Sequence, residues 1–194
     1  MYIFQFIASL LFLFLVQTFG FSAGPQSRSR TSLLVLHQQQ SGVVKENDEP
    51  LSGLFQRAVV WQRAGDYQNA MQEYKLILKT AQQVDLPLEQ YAEVHVNLGA
   101  LYLRLQDHAE QAKHHFTTAL RHRPMAVAHV NLAVLLLQEL KHVQDRQRGQ
   151  EMLQEAKEHC QTALTLKNEN DGQQAQAMAT RLLVDIEKML AQLL

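Results

Sequence analysis

The sequence predicts an all-α protein in which pairs of antiparallel helices stack into a superhelix and a last helix covers its end. Residues 94–100 (VHVNLGA) resemble residues 128–134 (AHVNLAV), and the two segments lie 34 residues apart. Self-similarity at this period is typical of two-helix repeats. Apolar residues within 175–190 recur every three or four positions, as they do on one face of a helix. Four Pro and eight Gly among 194 residues are too few for a disordered or fibrous chain.

Small and large apolar residues recur in the same order in three segments, which are residues 51–84, 92–125 and 126–168. The first contains Ala58, Trp61, Gly65, Tyr67, Ala70 and Tyr74; the second contains Leu98, Gly99, Tyr102, Ala112, Phe116, Ala119 and Pro124; the third contains Leu132, Ala133, Ala156 and Ala163. Their order resembles the pattern W-x-x-L-G-x-x-Y…A-x-x-x-F…P of the tetratricopeptide repeat (TPR) family. This resemblance implies a TPR-like superhelix over residues 51–168 in which these residues pack between helices.

Residue sizes in the second segment suit two helices in close contact. Gly99 and Ala112 are small enough to let two helix backbones approach, and Phe116 and Tyr102 fill the space beside them. Pro124 ends the second helix because proline has no amide hydrogen to donate.

The third segment departs from the family by about eleven extra residues, roughly 141–151. We expect them to lengthen the first helix of that repeat or to form a polar loop containing Arg146 and Arg148. Residues 173–194 are expected to form a capping helix, because the last hairpin of a solenoid leaves an apolar face uncovered.

The N-terminal segment predicts targeting rather than a folded element. Residues 2–16 are mostly apolar but shorter than the about 20 residues of a transmembrane helix, so residues 1–20 are expected to be a signal peptide. Residues 21–48 are a transit-peptide-like or disordered segment, since Ser and Arg are present and the first acidic residue is Glu46.

The junction at Phe21 resembles the bipartite plastid presequences of diatoms and related algae. This resemblance implies delivery to a plastid through the secretory route. Two alternatives stay open: secretion or retention in the endoplasmic reticulum, and membrane anchoring through residues 2–16 if the signal is not cleaved.

The TPR resemblance also implies a concave groove lined by the first helix of each hairpin. The expected lining residues are Phe55, Val59, Arg63, Val96, Asn97, Leu103, Arg104, Val130, Asn131, Val134 and Leu137. Most of them are apolar, so the expected partner is a protein that offers a helix or an extended apolar segment.

Some TPR proteins hold the acidic C-terminal tail of cytosolic chaperones with a clamp of Lys, Asn and Arg. The corresponding residues here are Phe55, Val59, Asn97, Val127 and Asn131, of which Asn97 alone agrees. A carboxylate is not held firmly without cationic partners, so this kind of tail is disfavoured as a ligand.

Composition and motifs argue against other function classes. The net charge of -1 gives no electrostatic reason to expect a nucleic acid partner. No phosphate-binding loop, nucleophile elbow or paired-carboxylate motif is present in the sequence, so we expect no enzyme activity and no cofactor. His108, His115 and His122 recur every seven residues, whereas metal ligands on a helix lie three or four apart, so no metal is expected. His95 and His129 are expected to pack between helices, and Cys160 to be a small buried residue.

The sequence therefore predicts a protein-binding adaptor or assembly scaffold that works through an apolar groove. The alternative is an obligate structural subunit of a larger complex. Such a subunit has no open peptide groove, because its apolar surfaces are permanently covered within the complex. A separate alternative also leaves no open site: the capping helix or the segment before Leu51 occupies the concave face.

Overall fold

A computed structural model describes residues 51–83, 87, 91–105, 108–166 and 172–193. These residues form seven α-helices and one short 3-10 helix, and none of them lies in a strand, which confirms the predicted all-α class. The chain divides into two compact units, residues 1–85 and 86–194. The signal peptide and transit segment predicted for residues 1–48 lie outside the described residues.

The described part of the first unit is a hairpin of α1 (Leu51–Ala64) and α2 (Tyr67–Gln83). The chain reverses at Gly65, whose φ of 81° lies in the left-handed region that glycine adopts without steric cost. Asp66 then caps α2, because its Oδ1 accepts a hydrogen bond from the backbone N–H of Asn69 at 3.2 Å.

Polar and aromatic contacts join the two helices of this hairpin. Arg57 donates from Nε and Nη2 to the two carboxylate oxygens of Glu73 at 3.0 and 2.9 Å, which is the bidentate geometry that makes such pairs strong. The buried Tyr74 donates its hydroxyl to Oε1 of Gln62 at 3.0 Å. Its ring also meets the ring of Phe55 edge-on, with centroids 5.8 Å apart.

The second unit contains α3 (Ala92–Arg104), α4 (Ala109–His122), α5 (Ala126–Glu139), a 3-10 helix (Leu140–His142), α6 (Arg146–Thr165) and α7 (Gly172–Gln192). Helices α3 and α4 pack as one hairpin and α5 and α6 as the next, while α4 also packs against α5. Helix α3 contacts α5, and α7 packs against both α6 and α5. The helices that pack extensively are thus one or two places apart in the chain, as in a stack that grows one helix at a time.

Helix α5 is the centre of the second unit. Nine of its 14 residues are buried, and α3, α4, α6 and α7 all pack against it. Two apolar clusters fill the space on its α3 and α4 side, one around Met125 and Ala128 and the other around Leu132 and Leu135. An apolar surface on nearly every side is what such a position requires.

The extra residues 141–151 do not lengthen the first helix of their hairpin, which was one of the two expectations. Helix α5 ends at Glu139, and the following residues form the 3-10 helix, a short link and the start of α6. Asp145 caps α6 by accepting a hydrogen bond from the backbone N–H of Arg148 at 2.6 Å. Arg146 and Arg148 therefore lie in the first turn of α6, where Arg146 donates to the carbonyl oxygen of Leu193.

Gly99 of α3 lies close to the ring of Phe116 of α4. A Cβ added at Gly99 would lie 2.5 Å from Cε1 and 2.7 Å from Cδ1 of that ring. Phe116 is fully buried among Ala112, Leu132 and Leu135, so its ring has no space into which to withdraw.

We predict that Gly99→Ala destabilises the chain by about 1–3 kcal/mol, because the added methyl group overfills this contact. Urea denaturation followed by circular dichroism measures the change. Gly149→Ala is the matched control, since a Cβ there meets only Cδ1 of Leu140, at 3.4 Å. Its stability should be unchanged or higher, because alanine favours the helical conformation more than glycine does. Equal effects of the two substitutions would contradict the close approach at Gly99.

We predict that Asp145→Ala destabilises the chain by about 1 kcal/mol through loss of the α6 cap. Asp145→Asn should retain most of the stability, since the amide oxygen accepts the same hydrogen bond from Arg148. Thermal melting of the two variants beside the parent chain measures this difference. Equal melting temperatures for the two variants would contradict the role of the Asp145 cap at the start of α6.

Candidate binding surface

Residues 34 positions apart occupy matching environments in the second unit. Val96 and Val130 are buried, as are Leu98 and Leu132. Leu103 and Leu137 are half-buried. Burial therefore also repeats at most positions of α3 and α5. The exceptions are Asn97, Ala100 and Tyr102, which are half-buried where Asn131, Val134 and Leu136 are buried.

Four of the predicted groove residues lie in the core instead of on an open surface. Val96, Val130, Asn131 and Val134 are each 5% exposed or less. Three of them lie on α5, against which α7 and α3 both pack. Since a buried side chain contacts a partner only after its neighbours move, these four are not part of the surface proposed below.

Asn97, Leu103, Arg104 and Leu137 are the predicted groove residues of the second unit that remain half-buried. Asn97 and Arg104 lie two turns apart on the same face of α3. Leu103 packs on one side against the cluster that contains Phe116. Its equivalent Leu137 lies on α5, which contacts α3. These four residues, called here the α3–α5 surface, are two half-buried leucines, an amide and a guanidinium.

The remaining predicted groove residues lie on α1 of the first unit. Phe55 and Val59 are partly buried, and Arg63 is exposed. The Phe55 ring already contacts Tyr74 within its own hairpin. It therefore contributes to packing there.

Most residues predicted to pack between helices are buried, but Trp61, Gly65 and Pro124 are exposed. Trp61 has 37% of its surface exposed, and Val60 beside it has 60%. Pro124 is exposed in the link between α4 and α5, where it follows the end of α4 at His122. Because Pro124 is exposed and lies outside both helices, it restricts the backbone of the link and does not pack between the helices.

Each hairpin of the second unit contains a histidine pair that the sequence analysis did not find. Nδ1 of His95 on α3 lies 2.9 Å from Nδ1 of His115 on α4. Nδ1 of His129 on α5 lies 3.0 Å from Nδ1 of His159 on α6. His95 and His129 match at the 34-residue period, and this was visible in the sequence. Their partners do not match at that period because the extra residues of the third repeat come between them.

Burial sets the protonation of these histidines. The pKa of His95 is lowered to about 4, first by burial and then by the nearby His122 and His114. Burial also lowers the pKa of His129, and His159 adds to that effect. At neutral pH the His95 and His129 rings are therefore uncharged, and each can share a single hydrogen with the ring that it faces.

Cys160 follows His159 in the chain and is fully buried on α6. Burial raises the pKa of its thiol to about 12, so the group stays protonated at neutral pH. A protonated, inaccessible thiol is a poor nucleophile and packs as a small apolar residue.

Among the described residues, no three His, Cys, Asp or Glu side chains converge in a way that would hold a metal ion. Within the same part of the chain, no helix combines the length and the apolar character needed to cross a membrane. Comparison with known proteins gives no match, either to a protein-family model or to a curated protein.

Proposed function

We propose that the chain is a protein-binding adaptor or assembly scaffold of the TPR type, and that its second unit carries the binding surface. The observation that supports this most is the agreement between the 34-residue sequence period and the repeated burial along α3 and α5. A repeated hairpin presents equivalent side chains at regular intervals, which suits an extended or helical partner. Delivery to a plastid, if the N-terminal segment acts as expected, is part of the same proposal.

The α3–α5 surface is the part of the unit best suited to contact a partner. Leu103 packs against the core on one side and is half-buried, so it offers apolar area with less entropy loss than a free side chain, and Leu137 on α5 is also half-buried. Asn97 offers both a donor and an acceptor to a peptide backbone. Arg104 lies in the last turn of α3. The partner we propose is a protein that offers a helix or an extended apolar segment.

We assign the second unit affinity and not catalysis. The ionisable groups that it brings together include two histidine pairs, a buried thiol and several ion pairs. A general base needs access to the substrate proton, and a nucleophile needs access to the reacting carbon. Cys160 meets neither condition.

We predict that Leu103→Gln with Leu137→Gln removes most partner binding by the full chain. Glutamine keeps a similar volume but puts an amide where the partner would bury an apolar group. Proximity labelling in cells compares the neighbours of the parent chain with those of the double variant. The proteins of interest are those that the parent chain labels and the double variant does not.

The matched control is Val184→Gln, which makes the same kind of change at an exposed apolar residue of α7. It should leave the labelled set as in the parent chain. Thermal melting of each purified variant checks that the fold persists. An unchanged set in a folded Leu103/Leu137 variant would contradict the α3–α5 surface as the binding site.

One observation favours the alternative of an obligate subunit. The first unit exposes Val60, Trp61 and Leu76, with 60%, 37% and 45% of their surfaces accessible. A permanent partner would cover such side chains.

We predict that the purified chain is a soluble monomer if it is an adaptor, whereas an obligate subunit would self-associate or aggregate. Sedimentation velocity over a range of concentrations measures this. Trp61 is the chain's single tryptophan, so its fluorescence gives a second measurement. A blue shift with rising concentration would show that this apolar patch of the first unit becomes covered and would favour the alternative.

A further inference from the structure

The two histidine pairs have the same construction. Each joins the first helix of a hairpin to the second, α3 to α4 and α5 to α6. In each, the facing atoms are both Nδ1, and the separations are 2.9 and 3.0 Å. One nitrogen must carry a hydrogen and the other must offer a lone pair, since two lone pairs or two hydrogens at this distance repel each other.

This geometry limits how many protons a pair can hold. The gap between the two nitrogens accommodates one hydrogen. If both rings were protonated, two N–H groups and two positive charges would meet at about 3 Å. A closed pair therefore holds at most one positive charge, while two histidines in an unfolded chain each take up a proton below about pH 6.5.

The surroundings of the first pair do not favour extra charge. His114 and His122 lie on the same helix as His115, and the His122 ring centroid is 6.3 Å from that of His95. Glu93, on the α3 side, is in an ion pair with Arg123 at 3.0 Å. Helix α5, which packs against both α3 and α4, has only His129 and Glu139 as ionisable residues.

Aromatic packing further confines this first pair. The ring of Tyr102 stacks on that of His115, with centroids 5.5 Å apart and planes 10° apart. His115 is therefore held between Tyr102 and His95. Its ring cannot turn away to relieve repulsion without giving up the stack.

The second pair lies among charges of both signs. Burial lowers the pKa of His159, Glu155 and Glu158 act in the opposite direction, and Lys113 of α4 lowers the pKa further. Helix α7, which packs against α5 and α6, has four charged side chains. These are Arg181, Asp185, Glu187 and Lys188. Glu187 pairs with Lys157 at 3.1 Å and Asp185 with Lys188 at 3.9 Å, so three of these four charges on α7 are in ion pairs.

We propose that the two histidine pairs are acid-sensitive clasps that hold the hairpins of the second unit closed at neutral pH and loosen them under mildly acidic conditions. The direction of this pH dependence follows from the number of protons that the folded and unfolded chains bind. Unfolding takes up protons wherever the unfolded chain binds more of them than the folded chain, and stability then falls as pH decreases. Because the folded pKa values of His95, His129 and His159 are lowered, the stabilisation is fully present above about pH 6.5 and declines below it. This behaviour depends only on the pairing of the helices and not on any bound partner.

The test is thermal melting of the full chain between pH 7.5 and pH 5 for the parent and for His95→Gln with His129→Gln. Glutamine hydrogen-bonds to the remaining histidine but does not titrate. We expect the parent to take up roughly one more proton per pair on unfolding near pH 5.5, and so to lose melting temperature more steeply than the double variant. His142→Gln, at an exposed histidine of the 3-10 helix, is the matched control and should keep the parent slope.

A second measurement does not depend on whether the variants fold. Nitrogen-15 NMR of the imidazoles in the unmodified chain should show one ring of each pair with hydrogen on Nδ1 and the other with hydrogen on Nε2. Each pair should hold no more than one positive charge until the circular-dichroism signal of the helices changes. The clasp would be overturned if the melting temperature fell equally steeply with pH in the parent and in the double variant. It would also be overturned if all four rings became protonated while the chain stayed folded.

Discussion

The close approach of α3 and α4 at Gly99 is the constraint on which the second unit depends. The Phe116 ring lies where a side chain at position 99 would otherwise be, and it reaches the cluster that contains Leu132 and Leu135 of α5. A single ring therefore connects the first hairpin to the first helix of the next. Because interiors of this kind are close-packed, the position of Phe116 sets the spacing of three helices together.

The spacing of the helices also determines which of their polar side chains come into contact. His95 on α3 and His115 on α4 come within hydrogen-bond distance because the two helices are close and nearly side by side. The same holds for α5 and α6, whose extensive packing brings His129 and His159 together. A buried ring nitrogen is stable only when it is hydrogen-bonded, so each ring of a pair depends on the other for this hydrogen bond. Packing and protonation are thus linked through the same two hairpins.

The all-α fold and much of the packing could be predicted from the sequence, since they depend on local periodicity and residue volume. Gly99, Phe116 and Ala112 are such cases, because a small residue facing a large one has meaning within a single hairpin. The burial of Val130 and Val134 could not be predicted from their helical spacing, because it depends on how α7 and α3 pack against α5. A repeat pattern gives the face of a helix but not the neighbour that covers it. The start of α6 depended on a single capping residue, Asp145, inside a segment that has no counterpart in the repeat. The histidine pairs combine contacts 20 and 30 residues apart in sequence, which no local pattern contains.

The contact between Gly99 and Phe116 can be tested most directly by a nuclear Overhauser experiment on the isotope-labelled full chain. The α-hydrogens of Gly99 should show strong cross-peaks to the ring hydrogens of Phe116 and a marked ring-current shift. Cross-peaks from the same ring to the methyl groups of Leu132 or Leu135 would place α5 in the same cluster. If the Gly99 α-hydrogens showed no cross-peak to any aromatic ring, the hairpin geometry would be contradicted, and with it the α3–α5 surface and the histidine clasps.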